Sequence, residues 1–140
     1  MIKFVVPGRP VPMARPRVTM NGTYTPKRCR EYKECVQLWA RQAMRHKEPL
    51  EGAVQCHITL CFDVPKSYSC GKRIAAQHNI QKPIGRNTGD ADNHAKAILD
   101  ALKGICWKDD SQVTALRVRK MYAETGARAI VQIWEDDWSN

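Results

Sequence analysis

The chain of 140 residues contains no apolar run near the ~20 residues that a membrane helix requires. Its opening apolar stretch, IKFVV, is too short for a secretory signal. Together these absences set the expectation of a soluble, cytoplasmic protein with no membrane partner. The six cysteines, at positions 29, 35, 56, 61, 70 and 106, never take C-x-x-C spacing, which argues against a zinc knuckle. Without an export signal they are expected as reduced thiols, several of them on apolar faces. Acids are scarce at the start: residues 1–47 hold eleven Lys or Arg against two Asp or Glu, whereas residues 90–140 hold seven against nine. A formal charge of +9 with so basic a first third points to a polyanionic partner, nucleic acid foremost, although a high pI also serves solubility alone.

The length fits one domain, residues 1–140, and no internal repeat divides it. Periodicity predicts an α+β fold: a mixed sheet of about four strands near 1–6, 53–62, 113–122 and 127–134, with two main helices near 26–46 and 93–103. Val54, Cys56, Ile58, Leu60 and Phe62 alternate with Gln55, His57, Thr59 and Cys61, the mark of a strand with one buried face. Tyr32, Cys35, Val36, Trp39, Ala40, Ala43 and Met44 form a helical stripe, in which Trp39 reads as core. Thr25 is the expected N-cap of that helix, with Pro26 at its first position and His46 as a capping residue near its end. Between strand and helix, PGRPVPMARPRVTMNGTYTPKR reads as a stiff extended loop with a hairpin turn at Asn21-Gly22. It presents Arg9, Arg15, Arg17, Lys27 and Arg28 to a partner. Residues 64–89 read as a second cationic loop, with Lys72, Arg73, Lys82 and Arg86 and a short helix at KRIAAQHN. The acidic tail, EDDWSN, is expected to be solvated.

Against this basic background, GDADNHAKAILDALKGICWKDD at residues 89–110 holds five aspartates. Ala95, Ile98, Leu99 and Leu102 mark a helix capped by Asp92 or Asn93 and ended by Gly104. Asp90 and Asp92, two apart in an extended segment, point the same way. Lys96 lies one turn beyond Asp92, and Asp100 one turn beyond Lys96. ICW reads as a short extended run to a turn at Asp109-Asp110 that brings one more carboxylate back to the first two. Clustered carboxylates repel unless a cation neutralises them, and oxygen donors suit hard Mg²⁺, with Mn²⁺ as a substitute. Each residue also has a plainer reading: Asp92 as a cap, Asp90 and Asp109-Asp110 as turn residues, Lys96-Asp100 as a surface ion pair.

The combination D-x-D-N-x-x-K-x-x-x-D-x-L, a short gap, then W-x-D-D-x-Q-V, over residues 90–113, strongly resembles the RusA family of Holliday junction resolvases. The segments RPR and NGTYTPKRCREY also resemble the start of many members. The resemblance implies a homodimeric, Mg²⁺-dependent DNA endonuclease acting on branched DNA in recombination and repair, of a kind often carried by phages and prophages. It implies metal ligands at Asp90, Asp92 and Asp110, a catalytic Lys96, and supporting roles for Asn93, Asp100 and Asp109. Met13, Met20 and Tyr24 are candidates to wedge into a junction, with packing or turn roles as the alternative. Many relatives carry proline where this chain has Gly89, a change expected to loosen the approach to Asp90. Two rival readings share these residues: a DNA-binding protein without catalysis, and a nuclease acting on flaps, forks or RNA.

Overall fold

The alternating stretch from Val54 forms the central strand of a four-stranded mixed sheet. The computed structural model describes residues 1–14 and 17–136. Strand β1 (Ile2–Pro7) and the hairpin strands β2 (Arg17–Thr19) and β3 (Gly22–Tyr24) precede helix α1 (Lys27–Met44). Then come β4 (Val54–Asp63), α2 (Cys70–Gln77), α3 (Ala91–Leu102), β5 (Val113–Ala123) and β6 (Arg128–Glu135). The sheet order is β1-β6-β4-β5, with β4 and β5 parallel and the other pairs antiparallel. The four main strands lie within one residue of the expected boundaries and the two main helices within two. Among the described residues no helix is long and apolar enough to cross a membrane, and all six cysteines are free.

Val54, Cys56, Ile58, Leu60 and Phe62 are buried, with Phe4 and Val6 of β1 and Val131 and Ile133 of β6 beside them. Helix α1 covers this face with Tyr32, Val36, Ala40 and Met44, and α3 covers it with His94, Ala95, Ile98, Ala101 and Leu102. Full burial of one such aliphatic side chain is worth about 1.5–3 kcal/mol, so this layer dominates the fold's stability. The opposite sheet face carries Lys3, Gln55, His57, Arg117, Arg119 and Trp134; the His57 and Trp134 rings meet edge-on at 4.6 Å.

Several local expectations are corrected. Pro26, not Thr25, takes the N-cap position of α1: its φ of −54° with an extended ψ of 142° delays the first helical residue to Lys27, and no side chain caps the end. His46 lies past the helix, which closes at Arg45 with φ 54° and an N–H bond to the Arg41 carbonyl. The hairpin turns at Met20-Asn21, with Gly22 opening β3. Helix α2 starts before KRIAAQHN, because the Ser69 hydroxyl accepts the Lys72 N–H at 3.3 Å. Gly104 to Cys106 form a turn, not an extended run: the Ile105 and Cys106 N–H groups fold back onto the Leu102 carbonyl. Asp136 is half-buried rather than freely solvated; its carboxylate accepts from Gln55 of β4 and from the Thr114 hydroxyl of β5. Residues 137–140 of the acidic tail, and Arg15, lie outside the described residues.

Parallel strands cannot be joined by a tight turn, so β4 and β5 are linked by a long crossover, residues 64–112. That crossover carries the whole acidic motif. Its first half runs past the carboxyl ends of β4 and β5, and α3 returns beside β5.

Candidate active site

The approach to the first aspartate is fastened from three sides. The His94 ring is buried and bonds through Nε2–H to the Thr88 carbonyl at 2.6 Å. The Lys120 ammonium donates to the Gly89 carbonyl at 2.7 Å, and the Met13 N–H, from the N-terminal loop, donates to the Asn93 carbonyl at 3.0 Å. Gly89 sits between these supports at φ +80°, where a Cβ would lie 2.8 Å from Pro12 Cγ and 3.0 Å from His94 Nε2. The expectation of a loosened approach is therefore reversed. Proline, with φ near −65°, cannot adopt this conformation, and glycine packs tightly here. Gly89→Ala is expected to cost about 1–3 kcal/mol of stability, measured by urea unfolding, because it combines a positive φ with a clash against Pro12.

Burial pushes the His94 pKa below its ordinary 6.5; the Thr88 bond and Asp90 oppose the shift, whereas Lys120 and Arg9 reinforce it. The ring is therefore neutral in the folded chain near pH 7. The unfolded chain takes up the extra proton first as the pH falls, so this contribution to stability is intact above about pH 6.5 and is lost below it. Urea midpoints measured from pH 7.5 to 5 should decline, and His94→Gln should flatten the decline.

Asp90 occupies the N-cap position of α3, two residues ahead of the expected start, in extended conformation (φ −82°, ψ 141°), and Asp92 stands in the first turn. Both are exposed at the amino end of the helix, where backbone N–H groups favour a carboxylate. Asp92 and Lys96 line one shallow hollow of about 320 Å³, otherwise walled by Ala91, Ala95, Leu99, Leu116 and Val118. Lys120 lies beside Asp90, whose charge partly offsets the lowering of the ammonium pKa by burial.

The other motif acids lie elsewhere. Asp100 does not pair with Lys96; it reaches Lys33 of α1 at 2.9 Å, because its side chain turns toward the α1–α3 contact. Asp109 caps the 3-10 turn before β5, accepts from Ser111, which holds its pKa down, and meets Lys103 at 3.4 Å. Asp110 accepts from the indole N–H of the fully buried Trp107 at 2.8 Å, an anchor that leaves its second oxygen without a hydrogen-bond partner among the described residues. These contacts place Asp109 and Asp110 at the carboxyl end of α3, whereas Asp90 and Asp92 are at its amino end. The 12 residues of the helix span about 18 Å. Within one copy, the turn after Gly104 does not return a third carboxylate to the first two. Among the described residues no group of three or more His, Cys, Asp or Glu stands close enough to hold a metal.

The expected DNA-contacting cations divide by environment. Arg28, Lys72, Lys82 and Arg86 are exposed. Lys27 faces Glu31 at 3.7 Å in an open i,i+4 pair. Arg9 donates to the Asn87 carbonyl at 2.8 Å and lies over the Phe62 ring, and Arg73 ties down the Pro65 and Lys66 carbonyls. Arg17 opens β2. Of the wedge candidates, Met20 and Tyr24 are exposed on the hairpin, whereas Met13 lines a small cavity against α1.

Two positioning residues escaped the sequence reading. His94 lies four before Ile98 and seven before Ala101, on the buried stripe of α3, so its period was a visible signal. Lys120 pairs with Leu60 across β4 and β5 and thus shares the core face, the parity of Val118 and Tyr122. A lysine at an apolar-parity position was the cue.

A family model described as endodeoxyribonuclease RusA matches residues 7–134, a span that includes Asp90, Asp92, Lys96 and Asp110. The chain is also 36% identical over 129 residues to the uncharacterized protein YqaN of Bacillus subtilis (strain 168), a match covering 88% of this chain and 89% of that protein. Taken with a mixed sheet whose crossover carries the acidic motif, these similarities show that the chain belongs to the RusA endodeoxyribonuclease family.

Proposed function

We propose that the chain, acting as one endonuclease domain, is a Mg²⁺-dependent resolvase that cuts four-way DNA junctions as a homodimer. The observation that carries this reading is the segment 89–96. There two exposed carboxylates and an amine one turn away project from a rigidly fastened helix end. The donor set suits a hard cation: Asp90 and Asp92 are oxygen donors, and the second oxygen of Asp110 is a third. Such an ion, when bound, supplies Lewis acidity at the phosphate and a more acidic water. Lys96 stabilises the negative charge that grows on the phosphate oxygens. Lys120 holds the Gly89 carbonyl, which fixes the direction from which Asp90 reaches the site. Lys27, Arg28, Lys82 and Arg86 bind flanking phosphates, which set position rather than sequence.

The separation of Asp110 from the other two acids supports the dimer. Strand β5 is an edge of the sheet, and Thr114, Ala115, Leu116 and Arg117 are all exposed along it. Unpaired edges invite strand pairing. Leu116 is 45% exposed beside the apolar hollow that holds Asp92 and Lys96. A twofold axis near Leu116 would pair two β5 edges antiparallel. The start of one β5, with Asp110 just before it, would then face the Lys120 end of the other, which neighbours Asp90. Each site would draw Asp90, Asp92 and Lys96 from one copy and Asp110 from the second. Two such sites would cut the two equivalent strands of a junction symmetrically.

The deciding assay is cleavage of a labelled four-way junction beside a linear duplex, a flap, a fork and an RNA duplex, in Mg²⁺, in Mn²⁺ and in EDTA. Paired, symmetric nicks in the junction only, abolished by EDTA, are expected. Binding without cutting would sink the enzymatic reading, and preferential cutting of flaps, forks or RNA would sink the junction reading.

A further inference from the structure

The largest cavity among those described, about 770 Å³, is not part of the aspartate site. It opens at the carboxyl ends of β4 and β5, the place where parallel strands commonly present ligands. Its walls include Arg9, Asp63, Lys66, Tyr68, Thr88 and Glu124. Its size falls in the range of about 300–1,000 Å³ usual for small-ligand sites. Thr88 stands two residues before Asp90, so the two are no more than about 8 Å apart between Cα atoms.

The wall chemistry is mixed in a specific way. Tyr68 is fixed by a 2.9 Å hydroxyl contact with Tyr122, and their rings meet edge-on at 6.0 Å. Lys72 lies 5.5 Å from the Tyr68 ring, and Arg9 5.6 Å from Phe62. Asp63 and Glu124 place carboxylates among these cations. Phosphate alone would be repelled by the two acids, and a purely apolar ligand would leave them unpaired. A nucleobase on its sugar-phosphate strand matches the whole set: a π-face for Tyr68, amino hydrogens for a carboxylate, phosphates for Arg9 and Lys66.

We propose that this cavity receives one base of the bound DNA, unstacked near the branch point. There Tyr68 is its stacking surface, and Asp63 or Glu124 accepts from its exocyclic amine. The inference rests on the DNA-nuclease reading above and assigns that reading a specificity pocket. Extrusion must break stacking as well as pairing, and at a branch the stacking between arms is already interrupted. Thymine, which has no exocyclic amine, fits worst.

The test is a double-mutant cycle between protein and DNA, read as junction affinity in Ca²⁺ so that no cleavage is needed. Junctions carry a single abasic site at each position within about five nucleotides of the branch. At one position the abasic site should weaken binding of the natural protein about tenfold. Tyr68→Leu should lose about as much on the intact junction and nothing further on that abasic junction. Ser67→Trp, at an exposed position on the cavity wall, should behave like Tyr68→Leu and decides the matter if the latter fails to fold by circular dichroism. No sensitive position, or losses that multiply to about a hundredfold, would overturn the pocket. Junction cutting in Mg²⁺ tests the parent reading separately: if cutting fails while the cycle holds, the nuclease claim falls and the base pocket stands.

Discussion

Asp92→Asn and Asp110→Asn will each be inactive alone, and co-refolding the two inactive proteins will restore about a quarter of natural cutting. Losing a mere outer-shell partner of a metal ligand costs about 10–100-fold, so losing a ligand is expected to cost on the order of a thousandfold. DNA binding should persist, because neither acid is one of the cations proposed to bind phosphate and neither is part of the core. The restoration follows from the geometry. Asp92 is at the amino end of α3, and Asp110 is tied to Trp107 at the other end. If a site spans two copies, random exchange makes about half the dimers mixed, and each mixed dimer has one intact site and one doubly altered site. The product should also change character, from paired cuts to single nicks. A mixture that stays dead while each protein still binds junctions would place the whole site within one copy.

The second large effect is expected from Leu116→Glu. Leu116 is 45% exposed on the edge strand, so the change should leave the fold within about 0.5 kcal/mol of its natural stability. In a dimer joined along β5 it would bury two like charges at the twofold axis. Sedimentation should find a monomer, and cutting should fall by at least about a hundredfold, because each copy loses its third carboxylate. Raising the protein concentration should recover part of the activity. A variant that remains dimeric and cuts normally would move the interface away from β5.

Local periodicity carried much of the fold. The alternation from Val54 and the stripe from Tyr32 to Met44 are properties of neighbouring residues, and both elements formed where those patterns run. Boundaries failed where one backbone angle decided them. Pro26 displaced Thr25, Ser69 extended α2 upstream, and Asp90 took the cap expected of Asp92 or Asn93. The motif acids were visible as a list, but their partners were not. Helical spacing predicts Lys96 for Asp100, yet Lys33 of another helix reaches it first. Lys120, some thirty positions from Gly89 in the chain, gave no sign of bonding to it.

The sequence by itself determined the family, the kinds of elements, and which acids and amine form the motif, because these depend on residues within a few positions of one another. The tertiary structure alone decided that β5 lies parallel to β4 at an open edge and that α3 holds Asp92 and Asp110 at opposite ends. It also set a wide cavity beside Asp90's loop. Strand order and cavity walls arise from contacts between distant segments, whose energies come from burying shared faces, and no local pattern encodes which faces will meet.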